Sequence, residues 1–171
     1  MKILIRNSDS AVIYAQNDLV LDTEAHGNGW RDPNFNTENA TITEAVLPKL
    51  WTGAVWSYNN GEWAVVDSAR YAKLLAADQA ILIREVQDKT QQRLDAFAST
   101  RNYAGILSAC TYATSTVPKF ATEGQYCVEA RDTTWAQLYE ILAEVQAGTR
   151  PVPAGYSEIE SELPVLAWPG N

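Results

Sequence analysis

The sequence predicts an α+β protein: a small N-terminal antiparallel β-sheet domain, then a long-helix hairpin and an extended, proline-rich C-terminal tail. Three observations indicate this order. Short β-prone runs separated by turn-forming residues continue to residue 66. Residues 69–100 then contain neither glycine nor proline and are rich in helix formers. Four of the seven prolines lie beyond residue 148, where they prevent a further long helix. We therefore divide the chain into 1–66, 67–148 and 149–171.

The first module begins with two β-prone runs, Lys2–Arg6 and Ala11–Ala15, on either side of the turn-forming cluster Asn7–Ser10. This pattern predicts a β-hairpin, because such clusters favour the tight turns that join antiparallel strands. Leu19–Leu21 is expected to add a third strand to it.

The polar stretch His26–Asn39 is rich in Asn, Gly and Asp, and it predicts an ordered surface loop held by Trp30 and Phe35. His26 is the only histidine of the chain. Nucleophilic catalysis of the Ser-His-Asp or Cys-His type needs a base that a third group orients, and no flanking signature marks His26 for this role. We expect a surface histidine here.

The clearest local signal is the dipeptide Asn60-Gly61 between two aromatic, β-prone runs. Asn-Gly tolerates the positive φ angles of a type I′ turn, the favoured two-residue hairpin loop. Since side chains alternate along a strand, that loop places four side chains on one face: Trp56, Tyr58, Trp63 and Val65. This face is either the core of a small sheet or a docking surface.

A first long helix is predicted at about 68–100, with Asp67 or Ser68 as its N-cap. Its apolar stripe consists of Leu75, Leu82, Val86, Leu94 and Phe97. Residues 84–93 add only Val86 to this stripe. A helix of about 30 residues, ~45 Å long, with so polar a middle is typical of a partly solvated strut, or of a coiled-coil strand with a marginal seam.

A short helix at about 104–113 and a second long helix at about 118–147 follow. Pro118 suits the first helical position, and Gly148 suits the left-handed residue just past the helix end. Gly124 lies between these two positions and weakens the helical pattern. The sequence therefore leaves open whether this region is one long helix or two shorter ones. Two long helices joined through a short one can pack as a hairpin, each covering the apolar stripe of the other.

Residues 149–171 are predicted to be extended because prolines interrupt them repeatedly. The segment Leu163–Pro169 is apolar for a terminal stretch. We expect it to be docked, either on the helices of its own chain or on a partner.

The composition excludes several classes of function. A net charge of −8 and a pI near 4.6 disfavour nucleic-acid binding, because the chain repels phosphate backbones. The apolar runs, such as Ala80–Ile83, fall far short of the roughly 20 residues that a membrane span needs. The first residues do not have the pattern of a signal peptide. We expect the protein in a cytoplasm, or in a particle assembled there.

The residues that carry enzyme chemistry lack the spacing that the chemistry needs. Cys110 and Cys127 form neither a metal-ligand pattern nor a disulfide framework. Glu158, Glu160 and Glu162 alternate as on a solvated edge, and not as a catalytic pair across a cleft. We therefore predict no catalytic residue, no metal, no cofactor and no enzyme activity.

A series of short motifs runs through most of the chain in a fairly specific order. Those of the N-terminal half are Gly29–Asp32, Trp56–Tyr58 and Gly61–Trp63. Those of the C-terminal half are Arg93–Tyr103, Ser108–Ala113, Phe120–Gly124, Arg131–Trp135, Leu163-Pro164 and Ala167–Pro169. In these motifs the chain resembles a family of small proteins encoded beside tail-fibre genes in bacteriophages and prophages. The resemblance implies a role in the tail or tail fibre, without catalytic residues.

Three functional hypotheses follow. The first is a structural protein of the virion tail, assembled in the host bacterial cytoplasm, that contacts a tail-fibre or baseplate protein and forms a homo-oligomer or a fixed complex with a fibre trimer. The second is a tail-fibre assembly chaperone that leaves before the particle is complete. The third is a carbohydrate-binding module that stacks exposed tryptophans on host-surface glycan. The candidate contact residues are Trp30, Trp56, Tyr58, Trp63, Leu163, Leu166 and Trp168. For each of them, packing inside its own chain is an equal alternative.

Overall fold

The computed structural model of the protein describes residues 1–170. Small antiparallel sheets precede the helices, so the fold class is α+β, as predicted. The chain divides into two compact units, Met1–Asp78 and a second that begins at Gln79. Each unit has a buried apolar core of its own.

The first unit is built from short strands. They are β1 (Lys2–Arg6), β2 (Val12–Ala15), β3 (Val20–Leu21), β4 (Ala25–Gly27), β5 (Trp30–Asp32), β6 (Ala40–Glu44), β7 (Trp56–Asn59) and β8 (Glu62–Val65). Strand β1 pairs antiparallel with β2 on one side and with β6 on the other. The β1–β2 hairpin is the predicted one, whereas β6 was not predicted.

The predicted loop His26–Asn39 is wrong in part, because β4 and β5 form a hairpin there. Gly29 has a φ of 84° and supplies the left-handed residue of the short connection. The predicted strand at Leu19–Leu21 exists as β3, but it pairs with β4 and not with the first hairpin. These strands have two or three residues each, too few for an alternating pattern to mark them.

The hairpin of β7 and β8 has the predicted register, with Tyr58 opposite Trp63 and Asn59 opposite Glu62. Asn60 and Gly61 have φ angles of 51° and 92°, as a type I′ turn requires. The prediction succeeds here because the turn residues alone determine which strand positions face each other.

The helices are α1 (Ser68–Ser99), α2 (Ile106–Cys110) and α3 (Pro118–Gln146). Helix α2 is shorter than the predicted 104–113, because the backbone tightens into a 3-10 turn at Thr111–Thr114. Helix α3 is one continuous helix. Gly124 does not interrupt it, since the missing side chain lets α3 lie directly against that 3-10 turn: a Cβ at Gly124 would stand 2.9 Å from the Ala113 Cα atom.

The core of the second unit consists of two apolar clusters that draw on α1, α3 and the C-terminal tail. The groove cluster contains Val86, Leu138, Ile141, Ile159 and Leu163. The Trp168 cluster contains Leu94, Ala98, Ile106, Ala109 and Cys127, with Leu166 and Trp168 packed against it. Val86 of α1 belongs to the same cluster as Leu138 and Ile141 of α3. Leu94 of α1 belongs to the same cluster as Cys127 of α3.

The middle of α1 is partly solvated, and one stripe of it is buried more fully than the apolar residues alone predicted. Val86, Thr90, Leu94 and Ala98 recur at a spacing of four and are all buried. Thr90 fits this apolar stripe because its hydroxyl group donates a hydrogen bond to the Val86 carbonyl oxygen, 2.8 Å away, so no buried polar group of Thr90 lacks a partner. The earlier part of the helix is more open, and Ile81 is exposed.

As far as residue 170 the tail contains no long helix, but it has short helical turns that were not predicted. Two 3-10 turns, Tyr156–Glu158 and Glu160–Glu162, interrupt the stretch. They place Ile159 and Leu163 in the groove cluster. Short helical turns form here because the segment between Pro153 and Pro164 is free of proline.

Candidate protein-binding site

An apolar groove lies in the second unit, at the end of α3. We call it the hairpin groove; it encloses about 260 Å³. Its walls are formed by Leu82 and Ile83 of α1, by Leu142 and Val145 of α3, and by Val152 and Pro153 of the tail. Gln79 and Gln146 are the polar residues of the lining, and none of the lining residues that the structure describes is charged. The groove therefore offers a mainly apolar surface that suits apolar side chains.

The local sequence explains how the third wall reaches this place. Gly148, with a φ of 71°, ends α3 in the left-handed conformation that glycine permits. The chain then returns, and the guanidinium group of Arg150 donates to the carboxylate of Glu162 over 2.8 Å. Glu144 lies 3.8 Å from the same guanidinium group. These ion pairs hold residues 150–153 beside the end of α3.

A buried carboxylate lies at the other end of the second unit. Glu123 is almost completely buried and accepts hydrogen bonds from the Arg101 guanidinium group and from the Tyr103 hydroxyl group, the latter at 2.7 Å. Burial by itself raises the pKa of Glu123, but the two hydrogen bonds outweigh it and hold the pKa below its usual value. Burial and the bond to Glu123 raise the pKa of Tyr103 to about 12. The network is therefore a fixed ion pair, and not an acid poised for proton transfer at neutral pH.

The predicted contact residues of the tail are packed within the chain itself. Leu163 is buried in the groove cluster, and Leu166 packs against the Trp168 cluster. The Trp168 ring stacks on Phe97 with ring centroids 4.3 Å apart, and its Nε1 donates to the Thr100 hydroxyl oxygen at 2.8 Å. Leu163 can contact a partner only if the tail leaves the helices, whereas Leu166 and Trp168 are partly exposed where they are.

The aromatic face of the β7–β8 hairpin is half-buried. The indole N–H groups of Trp56 and Trp63 donate to the carbonyl oxygens of Leu50 and Val46, at 3.2 and 3.0 Å. The two indole planes stand at 89° to each other. A glycan-stacking surface needs exposed, coplanar rings, so the geometry of this pair does not support the carbohydrate-binding hypothesis.

Trp30 is likewise engaged by its own unit. Its ring lies 4.7 Å from that of Tyr14, and its Nε1 donates to Gln16 at 2.7 Å. Of the seven predicted contact residues, the structure brings Leu166 and Trp168 together at one cluster and Trp56, Tyr58 and Trp63 together on one hairpin face. None of the seven lines the hairpin groove; Leu163 belongs to the buried groove cluster but is not part of the lining.

The residues with potential for chemistry remain dispersed. His26 Nε2 lies 3.3 Å from the Asp22 carboxylate at the surface of the first unit, whereas both cysteines belong to the second unit. Among residues 1–170, no group of three or more His, Cys, Asp or Glu side chains has the geometry of a metal site. The described helices include none that is long and apolar enough to cross a bilayer.

We expect Cys127 to resist thiol reagents while the protein is folded. Its side chain is fully buried, and burial raises its pKa to about 11, so on the order of one thiol in a thousand is ionised at pH 8. In a Cys110→Ser variant, in which Cys127 is the only thiol, an Ellman reaction should be slow in buffer and complete in denaturing urea. Rapid reaction in buffer would contradict the packing of α3 described above.

Sequence reasoning missed both the hairpin groove and the buried network. A signal for the network exists: Glu123 lies between Phe120 and Cys127 on the predicted apolar stripe, and a carboxylate there needs a partner. The groove had no comparable signal, because its walls come from three separate parts of the chain.

No family model, no curated protein sequence and no solved structure matches this chain.

Proposed function

We propose that this chain is a non-enzymatic, tail-associated bacteriophage protein that binds a tail-fibre or baseplate protein through the hairpin groove. The observation that carries the proposal is the groove itself. It is an open, mainly apolar surface on a protein with a net charge of −8. An apolar groove that is open to water gives the apolar side chains of a partner a place to be buried.

Three further features support a binding role over a catalytic one. The walls of the groove are mainly apolar, and the nearby guanidinium group of Arg150 is paired with Glu162. The buried carboxylate of Glu123 is fully engaged by Arg101 and Tyr103. The tail braces the end of the helices, so the two long helices and the tail together form the proposed binding module.

The proposal of a bacteriophage protein rests on the sequence motifs, which resemble those of small proteins encoded beside tail-fibre genes. It favours a location in the virion tail after assembly in the host bacterial cytoplasm. The alternative within the same proposal is an assembly chaperone, which uses the groove during fibre folding and is absent from the particle. A chaperone leaves its apolar surface open again after release, whereas a virion component keeps it covered.

Mass spectrometry of purified mature particles tests the proposal, with peptide counts calibrated against the major tail protein. A fixed copy number per particle would establish a virion component. Absence from particles, together with co-purification of the tail fibre from lysate, would establish the chaperone. If the protein is in neither fraction while the fibre itself is recovered, the proposed function is wrong.

A further inference from the structure

We propose that the hairpin groove binds a cationic, apolar segment of its partner: one large or two small apolar side chains enter the groove, and Lys or Arg residues flank them. This inference rests on the proposed use of the groove as a binding site and adds the chemistry of its ligand. It draws on the volume of the groove and on the distribution of charge in the second unit.

The volume of the hairpin groove limits the size of the side chains that can enter it. A cavity of about 150 Å³ holds one benzene molecule, and drug-sized ligands occupy about 300–1,000 Å³. At about 260 Å³ the groove accepts one aromatic or branched aliphatic side chain, or two small ones. Many proteins recognise peptides in this way: a partner segment buries a few apolar side chains in an apolar groove.

The negative charge of the second unit is concentrated in the chain segments that form the groove and its surroundings. The segments that form this end, 79–86, 138–146 and 149–162, carry six carboxylates against two arginines, a net charge of −4. The carboxylates are Glu85, Glu140, Glu144, Glu158, Glu160 and Glu162. In the rest of the unit, five basic and five acidic side chains cancel. The apolar groove therefore lies in the one strongly acidic part of the unit.

Part of this negative charge is free to act on a ligand. Arg150 is already paired with Glu144 and Glu162. Glu140 and Glu160 are exposed and make no ion pair among residues 1–170. These carboxylates attract a cationic segment and repel an acidic one. Both effects act within ~8–10 Å, the distance over which charges interact at physiological salt.

The same field argues against a second copy of the chain as the occupant. Each of the two units has a net charge of −4 from its own side chains, with six basic and ten acidic residues in the first and seven and eleven in the second. The net charge of a second copy has the same sign as that of the groove segments, so long-range repulsion opposes its approach. A basic partner segment meets no such opposition.

The experiment uses three synthetic peptides with the full-length protein. The probe is a 14-residue amphipathic peptide of leucine and lysine; the two comparison peptides replace every lysine by glutamate or every leucine by serine. Binding is followed by fluorescence anisotropy and by amide NMR shifts at low and high salt. We expect the leucine–lysine peptide to bind and to shift the signals of Ile83, Val145 and Val152, and the other two to bind weakly or not at all.

Matched variants distinguish binding of the peptide at the groove from its nonspecific attraction to an acidic protein. Val152→Lys places a charge on a groove wall and should weaken binding at least about tenfold, the loss of one buried apolar contact. Val165→Lys makes the same change at another exposed valine, outside the groove, and should have little effect. The pair Glu140→Lys and Glu160→Lys should weaken binding more than Glu38→Lys with Glu129→Lys, which changes the net charge equally.

Several results would overturn the inference. They are equal binding of the leucine–glutamate peptide, equal losses in the two valine variants, or no binding of the leucine–lysine peptide. Each leaves the particle experiment unaffected, because a fixed copy number in the tail would uphold the proposed function with a different binding chemistry. Conversely, peptide binding at the groove without any association with tail or fibre would uphold the ligand chemistry alone.

Discussion

Glu123→Ala is expected to lower the free energy of unfolding by about 3–5 kcal/mol, the usual effect of removing one partner of a buried ion pair. The loss leaves the Arg101 guanidinium group and the Tyr103 hydroxyl group without their acceptor in a largely buried site. Arg101 also lies 4.8 Å from the centre of the Trp168 ring, so the last contact of the tail should loosen as well. Urea unfolding followed by tryptophan fluorescence measures both effects.

Glu129→Ala provides the control, because Glu129 is on the same helix but exposed, and it should change stability by less than about 0.5 kcal/mol. The pH dependence gives an independent check. Since the folded pKa of Glu123 is lowered, its charge stabilises the fold above the unfolded pKa of about 4.3, and this contribution is lost as the pH falls through the folded pKa. The stability difference between wild type and Glu123→Gln should therefore shrink in acid. A constant difference down to pH 2 would mean that the carboxylate charge does not matter.

Gly124→Ala is the second substitution with a large expected effect, and its sign is opposite to that of helix propensity. In an exposed helix interior, alanine is more favourable than glycine by about 1 kcal/mol. Here the new Cβ would stand 2.9 Å from the Ala113 Cα atom and closer still to the backbone of Tyr112. Backbone atoms cannot move aside as a flexible side chain can, so we expect a loss of about 1–3 kcal/mol from overpacking.

Gly155→Ala is the matched control, since no atom lies within 4 Å of a Cβ at that position and its φ of 174° is accessible to any residue. Thermal unfolding of the two variants should separate them clearly, with only Gly124→Ala melting at a lower temperature. A Gly124→Ala protein as stable as wild type would show that α3 does not approach the 3-10 turn at Thr111–Thr114 so closely.

Features set by neighbouring residues could be predicted from the sequence. The register of the β7–β8 hairpin follows from Asn60-Gly61, and the ends of α3 follow from Pro118 and Gly148. The continuity of α3 could not be decided, because the reason that Gly124 is tolerated lies in a contact with Ala113, which precedes the helix in the sequence.

Features that join distant residues escaped prediction. Strand β6 owes its conformation to β1, whose Arg6 is paired with Ala40. The partners Arg101 and Glu123 are 22 positions apart, and the spacing of charges does not reveal such a pair. Part of the buried stripe of α1 was missed because Thr90 counts as polar in any pattern, although its hydroxyl group is satisfied by its own helix.

The docking of the tail has a consequence for how the protein is made. Arg93 donates to the carbonyl oxygen of Pro164, 71 positions later, and both clusters of the second unit use side chains between Ile159 and Trp168. A ribosome that has completed α3 has therefore produced a helical pair with its core still open. Folding of the second unit therefore waits until residues 159–168 have been made, and it is governed by contacts of long sequence separation, which form slowly. Nascent chains stalled before residue 159 would expose that apolar surface and become early targets for chaperones and proteases.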